Sequence, residues 1–175
     1  MKEMLDATMM RRSLVRMAHE IVERNKGTDN VVLVGIKSKG VPIAKRLSEI
    51  IESFEETPVP YAELDIRYWR DDHKKSDEKV HELNLEVHDK KVVLCDDVLF
   101  TGRSVRAAMD AIMDYGRAKE IQLAILVDRG HRELPIRADF VGKNIPTSIH
   151  ENVIVKTVEL DGVDGIYLET KRVLD

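Results

Sequence analysis

The chain has 175 residues and a mass of 20.0 kDa, with 28 Lys and Arg against 32 Asp and Glu, a formal net charge of −4. A chain of this length suits one domain with its own core, and 43% hydrophobic with 34% charged residues excludes wholesale disorder. The charge balance is not that of a strongly basic nucleic-acid binder, although a local basic face remains open.

No apolar run approaches the ~20 residues that span a bilayer. The opening MKEMLDATMMRRS has no apolar core of a signal peptide. Cys95 is the only cysteine, which excludes an intramolecular disulfide and a multi-cysteine zinc site. A cytoplasmic protein is expected, with no membrane partner.

Met10, Leu14, Met17 and Ile21 carry the apolar spacing of a helix, with Asp6 or Thr8 as its cap and Gly27 beyond its end. Residues 31–36 (VVLVGI) form a short apolar run that predicts a buried strand. Pro42 to about Ile51 has helical spacing at Ile43, Leu47 and Ile50. Val59 to Trp69 alternates Leu64, Ile66 and Tyr68 against Asp65, Arg67 and Trp69, which predicts a strand.

The run from Arg70 to Lys79 is so rich in charge that it should be exposed and mobile. Residues 91–97 predict a second buried strand, Arg103 to Tyr115 a helix ended by Gly116, and Ile121 to Val127 a third strand. Ala138–Val141, Val153–Val158 and Gly165–Leu168 are shorter strand candidates. Apolar strands alternating with helices predict an α/β fold with a mainly parallel sheet.

The informative stretch is residues 92–104, VVLCDDVLFTGRS. It runs from a buried strand through Asp96 and Asp97 into a loop, then a helix. Ligands of open α/β sheets bind beyond the carboxyl ends of the strands. Thr101, Gly102, Arg103 and Ser104 stand at the loop-to-helix junction, where N–H groups and the helix dipole favour an anion. Asp96 and Asp97 repel a phosphate but suit hydroxyl groups or a magnesium ion beside one. Acidic acceptors followed by phosphate donors fit a ribose 5-phosphate. The bland alternative is a strand that ends in two acids and a helix capped by Thr-Gly. The complete string in its strand–loop–helix setting favours the site.

This string resembles the phosphoribosyl-pyrophosphate motif of the type I phosphoribosyltransferases. Residues 127–139 (VDRGHRELPIRAD) and 142–148 (GKNIPTS), with Ala18-His19-Glu20, residues 23–27 and Leu64-Asp65-Ile66 with Arg70-Asp71-Asp72, resemble a narrower group. That group is the family of bifunctional pyrimidine operon regulators and uracil phosphoribosyltransferases (PyrR). The resemblance covers nearly the whole chain and is most specific from Arg129 to Ser148.

The resemblance implies a single phosphoribosyltransferase domain over residues 1–175: a mainly parallel central sheet flanked by helices, a small hood, and a flexible loop at about 70–88. It implies that Asp96 and Asp97 hold the ribose hydroxyls and a Mg2+ ion, with Arg70 as a further catalytic residue. Val98, Leu99, Phe100, Thr101, Gly102, Arg103 and Ser104 would bind the phosphate of phosphoribosyl pyrophosphate (PRPP). Lys37, Ser38, Lys39 and Gly40 match the pyrophosphate loop, where the family usually carries Thr-Arg instead of Ser38-Lys39. Arg129 and Val153 would line the base and nucleotide pocket.

The implied reaction is uracil plus PRPP giving UMP and pyrophosphate. Cys95, inside an apolar strand, reads as core, and His131 as a structural loop residue.

On the first helix, Arg12, Arg16 and His19 share the face opposite the apolar stripe, with Arg24 nearer the core side. Alone that is a solvated face. The resemblance makes Arg16, His19, Arg24, Arg132, Arg137 and Lys143 an RNA-binding surface for a hairpin in the pyrimidine-operon leader, with UMP or UTP favouring termination. Val15 stands where relatives often carry threonine. A homodimer or higher homo-oligomer is implied. A plain salvage enzyme, and a nucleotide sensor with little catalysis, are the alternatives.

Overall fold

The computed structural model describes residues 1–71 and 83–171. The chain runs β1 (Lys2–Leu5), α1 (Ala7–Asn25), β2 (Val31–Ile36), α2 (Gly40–Glu55), β3 (Tyr61–Leu64), a 3-10 turn (Arg67–Trp69), β4 (Lys91–Leu99) and α3 (Arg103–Tyr115). It continues with β5 (Glu120–Asp128), β6 (Phe140–Asn144), β7 (Glu151–Lys156), α4 (Val158–Asp161) and β8 (Gly165–Thr170). Five strands form a parallel sheet in the order β3-β2-β4-β5-β6, and β1-β8-β7 form a separate antiparallel sheet, the hood.

Alternating side chains divide the core between the two faces of the parallel sheet. Val93 and Cys95 of β4 face α1 and α2, packing with Met10, Leu14, Met17 and Ile21 and with Ile43, Leu47 and Ile51. Val92 and Leu94 face α3, packing with Val105, Ala108, Ala111 and Ile112. Both faces are covered, so the central strands are apolar throughout rather than alternating. Burying each of these large aliphatic side chains contributes roughly 1.5–3 kcal/mol before the chain's entropy is counted.

The carboxylate of Asp6 caps α1 by accepting from the Met9 N–H at 2.9 Å. Lys26 takes the left-handed conformation that ends it, ahead of Gly27. The second helix starts at Gly40 and ends at Glu55, overrunning the expected span at both ends, and α3 matches its expected span.

Two expectations are corrected. The strand predicted over 59–69 stops at Leu64. There the Asp65 carboxylate accepts from the Arg67 N–H at 3.1 Å, and the Trp69 N–H donates to the Ile66 carbonyl at 2.9 Å, so a turn replaces the ladder. Arg24 does not lie on the core side; it is exposed and reaches the Asp139 carboxylate at 3.4 Å. The charged run and most of the expected loop fall at residues 72–82, outside the described residues. Within the expected loop at about 70–88, Val87 is 1% exposed and packs into the core facing α3. Among the described residues no helix is long and apolar enough to cross a membrane.

Candidate active site and nucleic-acid interface

The parallel strands β2, β4 and β5 end on the same side, so their following loops converge. β4 carries Asp96, 9% exposed, and the less buried Asp97. Burial raises the Asp96 carboxyl well above the usual carboxylate range, and the adjacent Asp97 charge adds to it. Burial also raises Asp97, opposed by the hydrogen bonds it accepts and by the Lys39 ammonium. Each carboxylate is tied to the main chain: Asp96 Oδ1 accepts from the Asp97 N–H and Asp97 Oδ1 from the Val98 N–H, both at 2.8 Å.

Beyond them lies a cleft of about 270 Å³ lined by Arg70, Asp96 and residues 98–105. Gly102 has φ +92°, open to glycine at little cost, and it caps α3 without a side-chain hydrogen bond. The first turn of α3 itself carries no acidic residue, so its N–H groups and dipole favour an anion in the cleft. The Arg103 guanidinium turns aside to Asp71 at 2.7 Å and Glu133 at 2.9 Å. With Arg103 engaged, the donors lining the cleft for an anion are main-chain N–H groups, the Thr101 and Ser104 hydroxyls and Arg70.

The loop after β2 approaches from the other side. A Cβ on Gly40 would overlap the Cys95 carbonyl oxygen and lie 3.1 Å from the Asp96 Cα. A Cβ on Gly35 would lie 2.7 Å from the Gly40 carbonyl oxygen and from the Val41 Cα. Both positions must lack a side chain for this loop to sit against the acid pair. The Lys37–Ser38 peptide bond is cis. Lys39 Nζ donates to the Val155 carbonyl at 3.2 Å and pairs with Asp161 at 3.1 Å, fastening the loop to the hood.

Arg129 is 4% exposed. Its guanidinium donates to Thr147 Oγ1 at 3.1 Å, Asn152 Oδ1 at 3.4 Å, and the Ser148 and Glu151 carbonyls at 3.3 and 2.5 Å. It lies 4.0 Å from the centre of the Phe100 ring. Burial lowers its pKa. Those protein acceptors make it a strut that joins the phosphate loop to the entry of the hood, where Val153 is 8% exposed. His131 is exposed, with its ring nitrogen 2.6 Å from the Thr147 carbonyl oxygen. Cys95 is fully buried, which pushes its thiol pKa up.

Arg16, His19, Arg24, Arg132, Arg137 and Lys143 are all exposed. Arg16 reaches across to β6, donating to the Val141 and Gly142 carbonyls at 3.2 and 2.5 Å, next to Lys143. Arg24 joins Asp139, two residues after Arg137. His19 stacks on Phe54 of α2, ring centres 4.0 Å apart. Sequence reasoning missed Glu133, Asp71 and Asp161, the carboxylates that hold Arg103 and Lys39, because nothing local pairs them with cations so distant in the chain.

Among the described residues no group of three or more His, Cys, Asp or Glu could hold a metal ion. Two adjacent carboxylates at a phosphate cradle suit a hard cation that keeps waters and shares substrate oxygens, not one caged by protein alone. The donor chemistry fits magnesium, which Asp96 and Asp97 would hold only together with the substrate.

A parallel sheet whose second strand leads to a glycine-tight loop, and whose central strand carries an acid pair near its end, one short loop before a helix N-terminus, has the architecture of a type I phosphoribosyltransferase. The family model of the phosphoribosyl transferase domain matches residues 2–161. Solved structures similar in fold include the hypoxanthine phosphoribosyltransferase of Trypanosoma cruzi (TM-score 0.77, 16% identity, 98% of each chain covered). Another is the Staphylococcus aureus hypoxanthine phosphoribosyltransferase (TM-score 0.72, 19% identity, 98% of this chain and 91% of that one).

Curated relatives are much nearer in sequence. Bifunctional protein PyrR of Chloroflexus aurantiacus is 56% identical over 171 residues, covering 95% of this chain and 94% of that protein. Its namesake in Clostridioides difficile is 54% identical over 171 residues, covering 95% and 97%. The chain belongs to the phosphoribosyltransferase family and, within it, to the bifunctional PyrR proteins.

Proposed function

We propose that this chain joins uracil to the ribose 5-phosphate of PRPP, forming UMP and releasing pyrophosphate. We also propose that it binds a hairpin in pyrimidine-operon leader RNA, more tightly with UMP or UTP in the site, and so promotes termination. The observation that carries the enzymatic half is the acid pair near the end of β4, with Asp96 buried, followed through the loop at residues 100–102 by the N-terminus of α3 on one cleft.

In this reading the N–H groups at residues 102–104 and the Thr101 and Ser104 hydroxyls hold the 5-phosphate. Asp96 and Asp97 accept from the ribose hydroxyls. The loop Lys37-Ser38-Lys39-Gly40 receives the pyrophosphate, whose charge Lys37 offsets, while Lys39 fastens the loop to the hood through Asp161. Arg70 stands at the rim of the cleft. The bond from the anomeric carbon to pyrophosphate breaks as a ring nitrogen of uracil takes its place, through an oxocarbenium-like state, and the proton of that nitrogen leaves to the departing pyrophosphate. No side chain acts as nucleophile; positioning and charge stabilisation carry the rate. Asp96 and Asp97 would hold a magnesium ion together with the substrate, and it would supply further charge neutralisation. Arg129 keeps the loop 147–152 in place beside Val153, where the base is received.

Arg16, His19, Arg24, Arg132, Arg137 and Lys143 form the RNA-facing surface. A homodimer or larger assembly of this one domain would extend it. The test compares two double variants. R132E with R137E should abolish hairpin binding while turnover largely survives. D96N with D97N should abolish turnover. Hairpin binding untouched by the first pair would refute the RNA surface, and activity untouched by the second would refute the site.

A further inference from the structure

The loop between β5 and β6 carries Arg132 and Arg137, and it lies directly on the phosphate cradle. The Arg129 N–H donates to the Leu99 carbonyl at 3.2 Å, and the Glu133 N–H donates to the Thr101 carbonyl at 2.8 Å. The side chains of Leu134 and Ile136 cover Gly102, 3.6–3.8 Å from where its Cβ would stand. Glu133 is held a second time, because its Oε1 accepts from Arg103 Nε at 2.9 Å. Arg103 is also bound by Asp71 at 2.7 Å, so two carboxylates share one guanidinium at the mouth of the cradle. Asp71 in turn also pairs with Arg106 at 2.7 Å and keeps a cation of its own. Glu133 has only Arg103 among the ion pairs between described residues.

We propose that Glu133 couples occupancy of the 5-phosphate cradle to the RNA-facing loop. The inference rests on the nucleotide-dependent RNA reading above and specifies its route. A phosphate dianion seated on the N–H groups beside Arg103 enters the field of a guanidinium already shared by two carboxylates. The phosphate repels Glu133 and competes with it for Arg103. Glu133 has the weaker hold, so its side chain yields first. Arg132, the preceding residue, moves with it. Coupling of this kind requires that the two loop arrangements bind both ligands with different affinity, and it is reciprocal.

The test measures affinity for an RNA hairpin from the host's pyrimidine-operon leader, with and without saturating UMP, in wild type and in E133Q. UMP affinity without RNA is measured alongside. Glu133 is half exposed, and Gln keeps its shape while removing the charge that the phosphate would repel. The wild-type protein should bind the hairpin several-fold more tightly with UMP, and in E133Q that ratio should fall to within about twofold of unity. UMP affinity without RNA should equal or exceed wild type, because the repelled charge is gone.

A wild-type ratio retained by E133Q would overturn the inference and leave the nucleotide-coupled reading standing. Equal weakening or strengthening of hairpin binding with and without UMP would also overturn it, by making Glu133 an ordinary charge near the RNA. Loss of UMP binding in E133Q would overturn it by making Glu133 part of the cradle. A ratio of one in wild type would instead refute nucleotide coupling itself, and the inference with it.

Discussion

Replacing Gly35 by alanine tests whether the loop at residues 37–40, proposed to receive pyrophosphate, depends on close backbone contact. Gly35 lies near the end of β2, paired with Cys95 of β4 and Glu63 of β3, so it cannot move sideways without breaking two ladders. Its Cβ would stand 2.7 Å from the Gly40 oxygen, 2.7 Å from the Val41 Cα and 3.0 Å from the Gly40 carbonyl carbon. All three are backbone atoms, and ordinary contact begins near 3.4 Å. The loop from Lys37 to Gly40 must therefore retreat by roughly 0.7 Å or the strand must buckle, at a cost of about 1–3 kcal/mol typical of overpacking.

A shift of that size also moves the loop off the acid pair. Misplacement by about 1 Å can cost around a hundredfold in rate, so kcat/KM for PRPP should fall by about ten- to a hundredfold. Initial rates of UMP formation against PRPP concentration, with a thermal melt beside them, measure both effects. The rise in KM should concern PRPP far more than uracil. An alanine variant with wild-type kcat/KM for PRPP and an unchanged melting temperature would refute the argument.

Two further outcomes are expected. Arg46 forms bidentate contacts with Glu159 and with Asp164, the latter at 2.7 and 2.9 Å, joining α2 to the hood. R46A should cost about 1–2 kcal/mol near neutral pH, a figure reduced for the partial exposure of the partners. Hydrogen bonds from Arg46 hold both carboxyls below their usual range, so this stability is present above that range and is lost as pH falls through the lowered values. Melting curves of wild type and R46A should therefore converge in acid; a gap that stays constant down to pH 3 would contradict the assignment. Thr157 is fully buried, and its hydroxyl has no hydrogen-bond partner among the described residues. T157V should leave stability unchanged or raise it by up to about 1 kcal/mol in a denaturant titration, whereas a clear loss would show the hydroxyl to be satisfied.

The parts of the fold that sequence revealed are those governed by local pattern. Apolar runs marked β2, β4 and β5, and the spacing of Met10, Leu14, Met17 and Ile21 marked α1, because burial on one or two faces writes directly into residue order. β1 was not legible: four residues, KEML, have no periodicity to read, and their strand exists only by pairing with β8 at the far end of the chain. The failure at Asp65 has a different cause, since the hydrogen bonds its carboxylate accepts from the Arg67 N–H and guanidinium override an alternation that otherwise favours a strand.

The same division runs through the site. Asp96, Asp97 and residues 101–104 are contiguous and could be read together. The arrangement around Arg103 could not, because Asp71 and Glu133 come from positions 32 before and 30 after it in the chain. Arg129 was visible as a base-pocket residue only through resemblance, and its burial under Phe100 and the loop 147–152 is a product of tertiary packing.

The measurement that tests the central claim most directly is UMP formation from uracil and PRPP with magnesium, run beside hypoxanthine, guanine and orotate. The account predicts turnover with uracil alone. Turnover with a purine or with orotate in place of uracil would contradict the base-pocket assignment from Arg129 to Val153, and no turnover with any base would contradict the enzymatic reading altogether.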